Sequence, residues 1–194
     1  TPEFGDLEYM TYDQVGKKID NFGAGIMKLT GLKEGCIGMF ILISLIDSKK
    51  RSLKIREQNG KLVLKHVSNL DLHWLPFMQI WVNIFNFHLL EKLGEEALIL
   101  SINETQITTI ITNGKQVARL KELSDQIPSL KYIIYTDKLA GSSEKGNDIV
   151  VKSFDEVVEM GMMNPTVPAK TPKPDDLAII MYTSGSTGMP KGVM

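Results

Sequence analysis

The residues best equipped for chemistry lie together in the stretch Tyr182-Thr183-Ser184-Gly185-Ser186-Thr187-Gly188-Met189-Pro190-Lys191-Gly192. A polyphosphate needs many hydrogen-bond donors, little steric bulk and a positive charge close together, and this stretch supplies all three. Gly185, Gly188 and Gly192 let backbone N–H groups approach an anion with no Cβ in the way. The hydroxyls of Thr183, Ser184, Ser186 and Thr187 add movable donors. Lys191 adds an ammonium, and a charge-assisted hydrogen bond of this kind contributes ~1.5–3 kcal/mol. Pro190 stiffens the loop.

Such a loop works only if something holds it. The apolar run Leu177-Ala178-Ile179-Ile180-Met181-Tyr182 has strand length and no charge, the mark of a central parallel strand buried on both faces. A strand feeding a Gly-rich loop is a common phosphate setting. The Walker pattern G-x-x-x-x-G-K-[ST] does not fit, because Lys191 follows Pro190 and precedes Gly192. A flexible Ser/Gly linker is the competing interpretation. Linkers of that kind carry neither a buried strand before them nor a Pro-Lys-Gly after them.

These eleven residues resemble the phosphate-binding motif of the adenylate-forming (AMP-binding) enzymes. Asp176-Leu177-Ala178-Ile179-Ile180-Met181 before the motif and Val193-Met194 after it are most similar to long-chain fatty-acid CoA ligases. The resemblance covers roughly residues 1–43 and 93–194. It implies ATP-dependent activation of a fatty acid to an acyl-adenylate, followed by transfer to coenzyme A, with Mg²⁺ accompanying ATP. Residue by residue, it implies that Thr183, Ser184, Gly185, Ser186, Thr187, Gly188 and Lys191 contact the ATP phosphates. The adenine- and ribose-binding motifs, the metal-binding Glu and the catalytic Lys of the mobile domain fall beyond the position equivalent to Met194. No catalytic residue and no metal ligand is therefore assigned within this chain. The 194 residues read as an N-terminal fragment expected not to turn over alone. Two other readings stand beside this one: a truncated nucleotide-binding remnant, and a ligase for another carboxylic acid, aromatic or medium-chain.

Composition is consistent with a globular chain. Of 194 residues 43% are apolar and 23% charged, and the net charge of −1 provides no general attraction to nucleic acid or anionic membrane. The single cysteine, Cys36, excludes an internal disulfide. Set in the strand-like Gly35-Cys36-Ile37-Gly38-Met39-Phe40-Ile41, it reads as a buried thiol rather than a nucleophile. The chain opens on Thr1 with no charged-then-apolar leader, so secretion is not expected. The resemblance implies a cytoplasmic-side location, with the endoplasmic reticulum or another organelle membrane open for the intact protein. The chain closes at Met194, right after the loop, with no element expected to hold the loop's far side.

The elements that must position the loop can be read in order. Thr11-Tyr12-Asp13-Gln14 has the form of a capping box, and Val15, Ile19, Phe22, Ile26 and Leu29 follow at helical spacing. Gly23 and Gly25 weaken that helix by ~1 kcal/mol each, so a closely packed neighbour is expected there. Gly31 closes it and a strand follows near 37–43. Further on, the spacing predicts a helix over 95–103, a strand over 106–112, and a helix over 115–126 with Val117, Leu120, Leu123 and Ile127 inward and Pro128 beyond it. A strand over 131–136 and a Gly/Ser/Lys loop over 138–148 follow. Ser153-Phe154-Asp155-Glu156 then caps a helix towards Met160, and a Pro-rich extended segment over 164–175 leads to the final strand. Strands alternating with helices give an α/β fold with a parallel sheet and flanking helices, here the partial N-terminal domain of the adenylate-forming fold.

Residues 44–92 break the resemblance, so residues 1–194 read as one partial adenylation domain with an aberrant or inserted segment, such as an out-of-frame or unspliced translation. Within it, Lys49-Lys50-Arg51 reads as a solvated face. Trp74, Met78, Trp81, Phe85 and Leu89 fall on one helical stripe and predict a buried helix. That charge-free run is shorter than the ~20 residues a membrane-spanning helix needs. His66, His73 and His88 lack metal-ligand spacing. Asn103-Glu104-Thr105 matches a glycosylation sequon, but inside a predicted helix it reads as coincidental.

Overall fold

The computed structural model describes residues 10–31, 35–39, 55–58, 61–64, 84–88, 95–141, 143, 145, 146, 148–164, 179–183 and 191–193. Helix α1 spans Tyr12–Thr30 and begins as its sequence dictates. The Thr11 hydroxyl accepts from the Gln14 N–H, and the Gln14 side chain accepts from the Thr11 N–H. Gly31 ends the helix at φ 68°, a left-handed conformation that glycine adopts without penalty. Strands β1 (Gly35–Met39), β2 (Ile55–Gln58), β3 (Lys61–Leu64) and β4 (Ile84–His88) follow. Then come α2 (Glu95–Thr105), β5 (Thr109–Thr112), α3 (Gly114–Glu122), a 3₁₀ turn (Ser124–Gln126), β6 (Tyr132–Tyr135), β7 (Val150–Ser153), α4 (Phe154–Met162), β8 (Ile179–Thr183) and β9 (Lys191–Val193).

Among the described residues, seven strands form one sheet in the order β7-β6-β5-β1-β4-β8-β9. Every neighbouring pair is parallel except β8 and β9. Strands β2 and β3 form a separate antiparallel pair. The α/β architecture agrees with the sequence. Several elements differ from it. Residues 84–88 are a central strand, not part of a helix; the stripe that includes Phe85 has a period which a five-residue segment cannot distinguish from a strand's. The predicted helix over 115–126 is an α-helix to Glu122 that tightens into a 3₁₀ turn. Strand β7 was not expected, because its short run merges into the cap of α4.

Strands β5 and β6 are buried on both faces by alternation. Ile110 and Ile133, paired in register, join Leu98 and Ile102 of α2 and Val117 and Leu120 of α3 in one apolar cluster. Leu123 and Ile127 complete the inward row predicted for that segment. Ile111 and Ile134, one residue along, join Phe22 and Ile26 of α1 and Phe154 and Val157 of α4 in the other.

On that second face α1 and α4 cross at glycines. A Cβ on Gly25 would overlap the Val157 carbonyl, and one on Gly161 would overlap the Asn21 carbonyl. The rings of Phe22 and Phe154 stack at 4.1 Å, with the Lys18 ammonium 5.2 Å from the Phe154 centroid. Close packing thus explains Gly25, as expected, and identifies Gly161 as its counterpart. Gly25→Ala is expected to lower stability by about 1–3 kcal/mol through overpacking, despite its better helix propensity. Gly16, with nothing within 4 Å of its would-be Cβ, is the control: Gly16→Ala is expected to gain about 0.5–1 kcal/mol. Thermal unfolding of both variants reads the difference in sign.

Helix α4 starts in a second capping box. The Ser153 hydroxyl accepts from the Glu156 N–H at 3.1 Å, and the Glu156 carboxylate accepts from the Ser153 N–H at 2.7 Å and from the Lys152 ammonium at 2.8 Å. The Lys152 hydrogen bond, then the Ser153 N–H, hold the Glu156 carboxyl below the usual glutamate range. A carboxyl lowered on folding contributes stability above its unfolded pKa, and that contribution is lost as pH falls through the folded value. Glu156→Gln is therefore expected to flatten the acid limb of the stability–pH curve below the ordinary glutamate range, as followed by thermal midpoints.

Candidate phosphate-binding site

The two described ends of the motif sit at the carboxyl edge of the sheet, and the strand register shows where. One row crosses all seven strands: Lys152, Ile134, Ile111, Met39, His88, Met181 and Val193 are successive partners from β7 to β9. Thr183 lies two residues beyond that row on β8, so β8 extends about 7 Å past the last paired residues of β1 and β4.

Strand β9 returns beside it, with Tyr182 opposite Gly192 and Thr183 opposite Lys191. The expectation that nothing holds the loop's far side is corrected. Three residues of β9 suffice, because a hairpin strand needs only its neighbour's N–H and C=O groups. Thr183 and Lys191 thus face each other as the pair that closes the motif, and Lys191 is exposed. Ser184, Gly185, Ser186, Thr187 and Gly188 lie outside the described residues. The signal for β9 in the sequence is only Lys191-Gly192-Val193, too short for alternation to show.

The topology favours a ligand at this edge. From β4 the chain leads to β5 on one side, whereas from β8 it leads to β9 on the other, although β4 and β8 are neighbours. In open parallel sheets ligands bind beyond the carboxyl ends of the strands, the edge at which Thr183 and Lys191 lie. The same edge is braced beyond β5. Asn113 caps α3 by accepting from the Gln116 N–H at 3.2 Å, and the Gly114 N–H donates to the Asp137 carboxylate. A Cβ on Gly114 would overlap the Lys138 carbonyl, so the β5–α3 turn and the segment after β6 lock together. The α3 N-terminus is thereby already occupied by protein groups.

Among the described residues, no group of three or more His, Cys, Asp or Glu could hold a metal ion. Asn103 lies within α2 and its amide donates to the Gln126 carbonyl at 2.8 Å, while the Thr105 hydroxyl donates to the Ser101 carbonyl. Both sequon side chains are thus engaged in helix and turn contacts. No helix among the described residues is long and apolar enough to cross a membrane.

The fold, a mostly parallel sheet with flanking helices, is shared with adenylation domains of the adenylate-forming class. The A-PCP didomain of the carboxylic acid reductase from Segniliparus rugosus, solved in complex with AMP, superposes with a TM-score of 0.67 at 17% identity, over 96% of this chain and 25% of that one. The family described as AMP-binding enzyme matches residues 84–194, and the chain belongs to it. The match begins at β4, so it overlaps the doubtful segment over residues 84–92.

Among curated relatives, long chain acyl-CoA synthetase 8 of Arabidopsis thaliana is 42% identical over 108 residues, 53% of this chain and 15% of the relative. Long-chain-fatty-acid–CoA ligase 4 of Saccharomyces cerevisiae is 34% identical over 124 residues, 54% of this chain and 18% of the relative. The chain therefore spans less than a fifth of the length of either.

The hairpin register can be tested by cross-linking. In a Cys36→Ala background, Thr183→Cys with Lys191→Cys is expected to form a disulfide under mild oxidation, because directly opposed residues have Cα atoms ~4.5–5.5 Å apart. Thr183→Cys with Val193→Cys, displaced by two residues to roughly 8 Å, is expected to remain reduced. Thiol alkylation followed by mass measurement distinguishes the two.

Proposed function

We propose that this chain is the phosphate-binding part of a long-chain fatty-acid CoA ligase, in which the loop closed by Thr183 and Lys191 receives the phosphates of ATP. The observation that carries this reading is the placement of that pair past the carboxyl ends of β1 and β4. The names of the two curated relatives support the fatty-acid substrate; the fold, shared with a carboxylic acid reductase, is common to enzymes acting on other acids.

In the reaction proposed for the intact protein, a carboxylate oxygen of the fatty acid attacks the α-phosphorus of ATP. The bond from that phosphorus to the bridging oxygen breaks, and pyrophosphate leaves with the electron pair. The sulfur of coenzyme A then attacks the acyl carbon, the thiol proton is lost, and AMP departs. Thr183, Ser184, Gly185, Ser186, Thr187, Gly188 and Lys191 bind the phosphates in this scheme. Lys191 offsets the negative charge that accumulates on the pyrophosphate as the bond breaks. Mg²⁺ would travel with the triphosphate as its counter-ion. The reading keeps the cytoplasmic-side location that the resemblance implies, with an organelle membrane left open for the intact protein.

The 194 residues are expected to bind ATP through this loop. In calorimetric titration, Lys191→Ala should weaken ATP binding roughly tenfold or more, the equivalent of one charge-assisted hydrogen bond. Equal ATP affinity of the unsubstituted and Lys191→Ala chains would sink the reading.

A further inference from the structure

The turn between β5 and α3 sets an asparagine before a glycine, Asn113-Gly114. In this pairing asparagine cyclises most readily, because no Cβ at the second residue hinders its backbone nitrogen from attacking the asparagine side chain. The fold nevertheless requires both residues. Asn113 caps α3, its Oδ1 accepting from the Gln116 N–H at 3.2 Å. Gly114 is required by packing, since a Cβ there would overlap the Lys138 carbonyl.

The folded turn holds the reacting groups out of reach of each other. Asn113 is 8% exposed, and its side chain is committed to the helix cap. Its ψ of 159° is extended, whereas ring closure needs Cβ and the Gly114 nitrogen to eclipse about the Cα–C bond. The Gly114 nitrogen becomes a nucleophile only when it loses its proton, and that N–H donates to the Asp137 carboxylate. A fixed negative charge beside an N–H opposes deprotonation. Asp137 is held in place from both sides. The Thr136 N–H donates to the Thr112 carbonyl at 3.0 Å, and the Ala140 N–H donates to the Gly114 carbonyl at 3.3 Å.

We propose that Asn113 is a site of spontaneous deamidation, gated by the hydrogen bond from Gly114 to Asp137. When the turn opens, the Gly114 nitrogen loses its proton and attacks the Asn113 Cγ, and the side-chain nitrogen takes up a proton and leaves as ammonia. Water then adds to one of the two carbonyls of the cyclic imide and breaks its bond to the nitrogen. Opening at the side-chain carbonyl leaves an aspartate, whose carboxylate can still cap α3 and is favoured at a helix N-terminus. Opening at the backbone carbonyl leaves the β-linked isomer, whose main chain is lengthened by Cβ. That product displaces Gly114 from the Lys138 carbonyl and cannot rebuild the turn. The inference is independent of the nucleotide-binding reading above.

The test follows the Asn113 peptide of the 194-residue chain by mass mapping during incubation at mildly alkaline pH. Deamidation in the folded chain is expected to be at least about tenfold slower than in the urea-denatured chain, because reaction waits for local opening. Asp137→Ala is expected to raise the folded-state rate about tenfold, the equivalent of one hydrogen bond to a charged group, and Asp137→Asn, which keeps an acceptor without the charge, to raise it less. Equal rates in the folded and denatured unsubstituted chain would overturn the proposal. An unchanged rate in a folded Asp137→Ala chain would overturn it too, by showing that the gate does not lie at Asp137. If neither Asp137 variant folds, hydrogen exchange of the unsubstituted chain decides. The Gly114 N–H must then be protected in step with the slowing of deamidation, and a freely exchanging Gly114 N–H overturns the proposal.

Discussion

A parallel sheet has no face that can be left to water, and this constraint governs the molecule. The helices that connect its strands must cover both sides. Ile110 and Ile133 answer to α2 and α3, and Ile111 and Ile134, one residue along, answer to α1 and α4. A register slip of one residue in β5 or β6 would exchange the two clusters and disrupt both. That penalty fixes the row from Lys152 to Val193, and the row in turn fixes where the carboxyl edge lies.

The two helical layers meet the sheet differently. On one side α2 and α3 pack through Leu98, Ile102, Val117 and Leu120, ordinary aliphatic contacts. On the other side α1 and α4 approach so closely that glycines stand at the crossing and the Phe22 and Phe154 rings stack. Side-chain volume sets the first spacing and backbone contact sets the second, so the second has less room to adjust.

Much of this was legible in the sequence, for reasons that differ by element. The capping boxes at Thr11 and Ser153 were readable because their chemistry is local: one hydroxyl and one N3 side chain satisfy neighbouring N–H groups. The inward row Val117, Leu120, Leu123 and Ile127 was readable because periodicity survives even where the helix tightens into a 3₁₀ turn. Gly25 announced a close neighbour, but not which one, since Gly161 lies more than a hundred residues away. Strands β7 and β9 were not legible, for they are shorter than the window over which alternation can be seen. Strand β4 was misread because Phe85 satisfied a helical stripe as readily as a strand. Of the site, residue types and loop length were visible in advance. The opposition of Thr183 and Lys191 was not, because pairing belongs to the sheet rather than to the segment.

Strands β1 and β4 lie side by side, yet the chain takes residues 40–83 to pass from one to the other. The entropy of closing a flexible connection grows only with the logarithm of its length, by about 0.6 kcal/mol for each doubling. A connection of very different length or composition between these two strands would therefore cost the sheet little. The register that aligns the carboxyl edge is thus set by the strands themselves and is nearly indifferent to how many residues link β1 to β4.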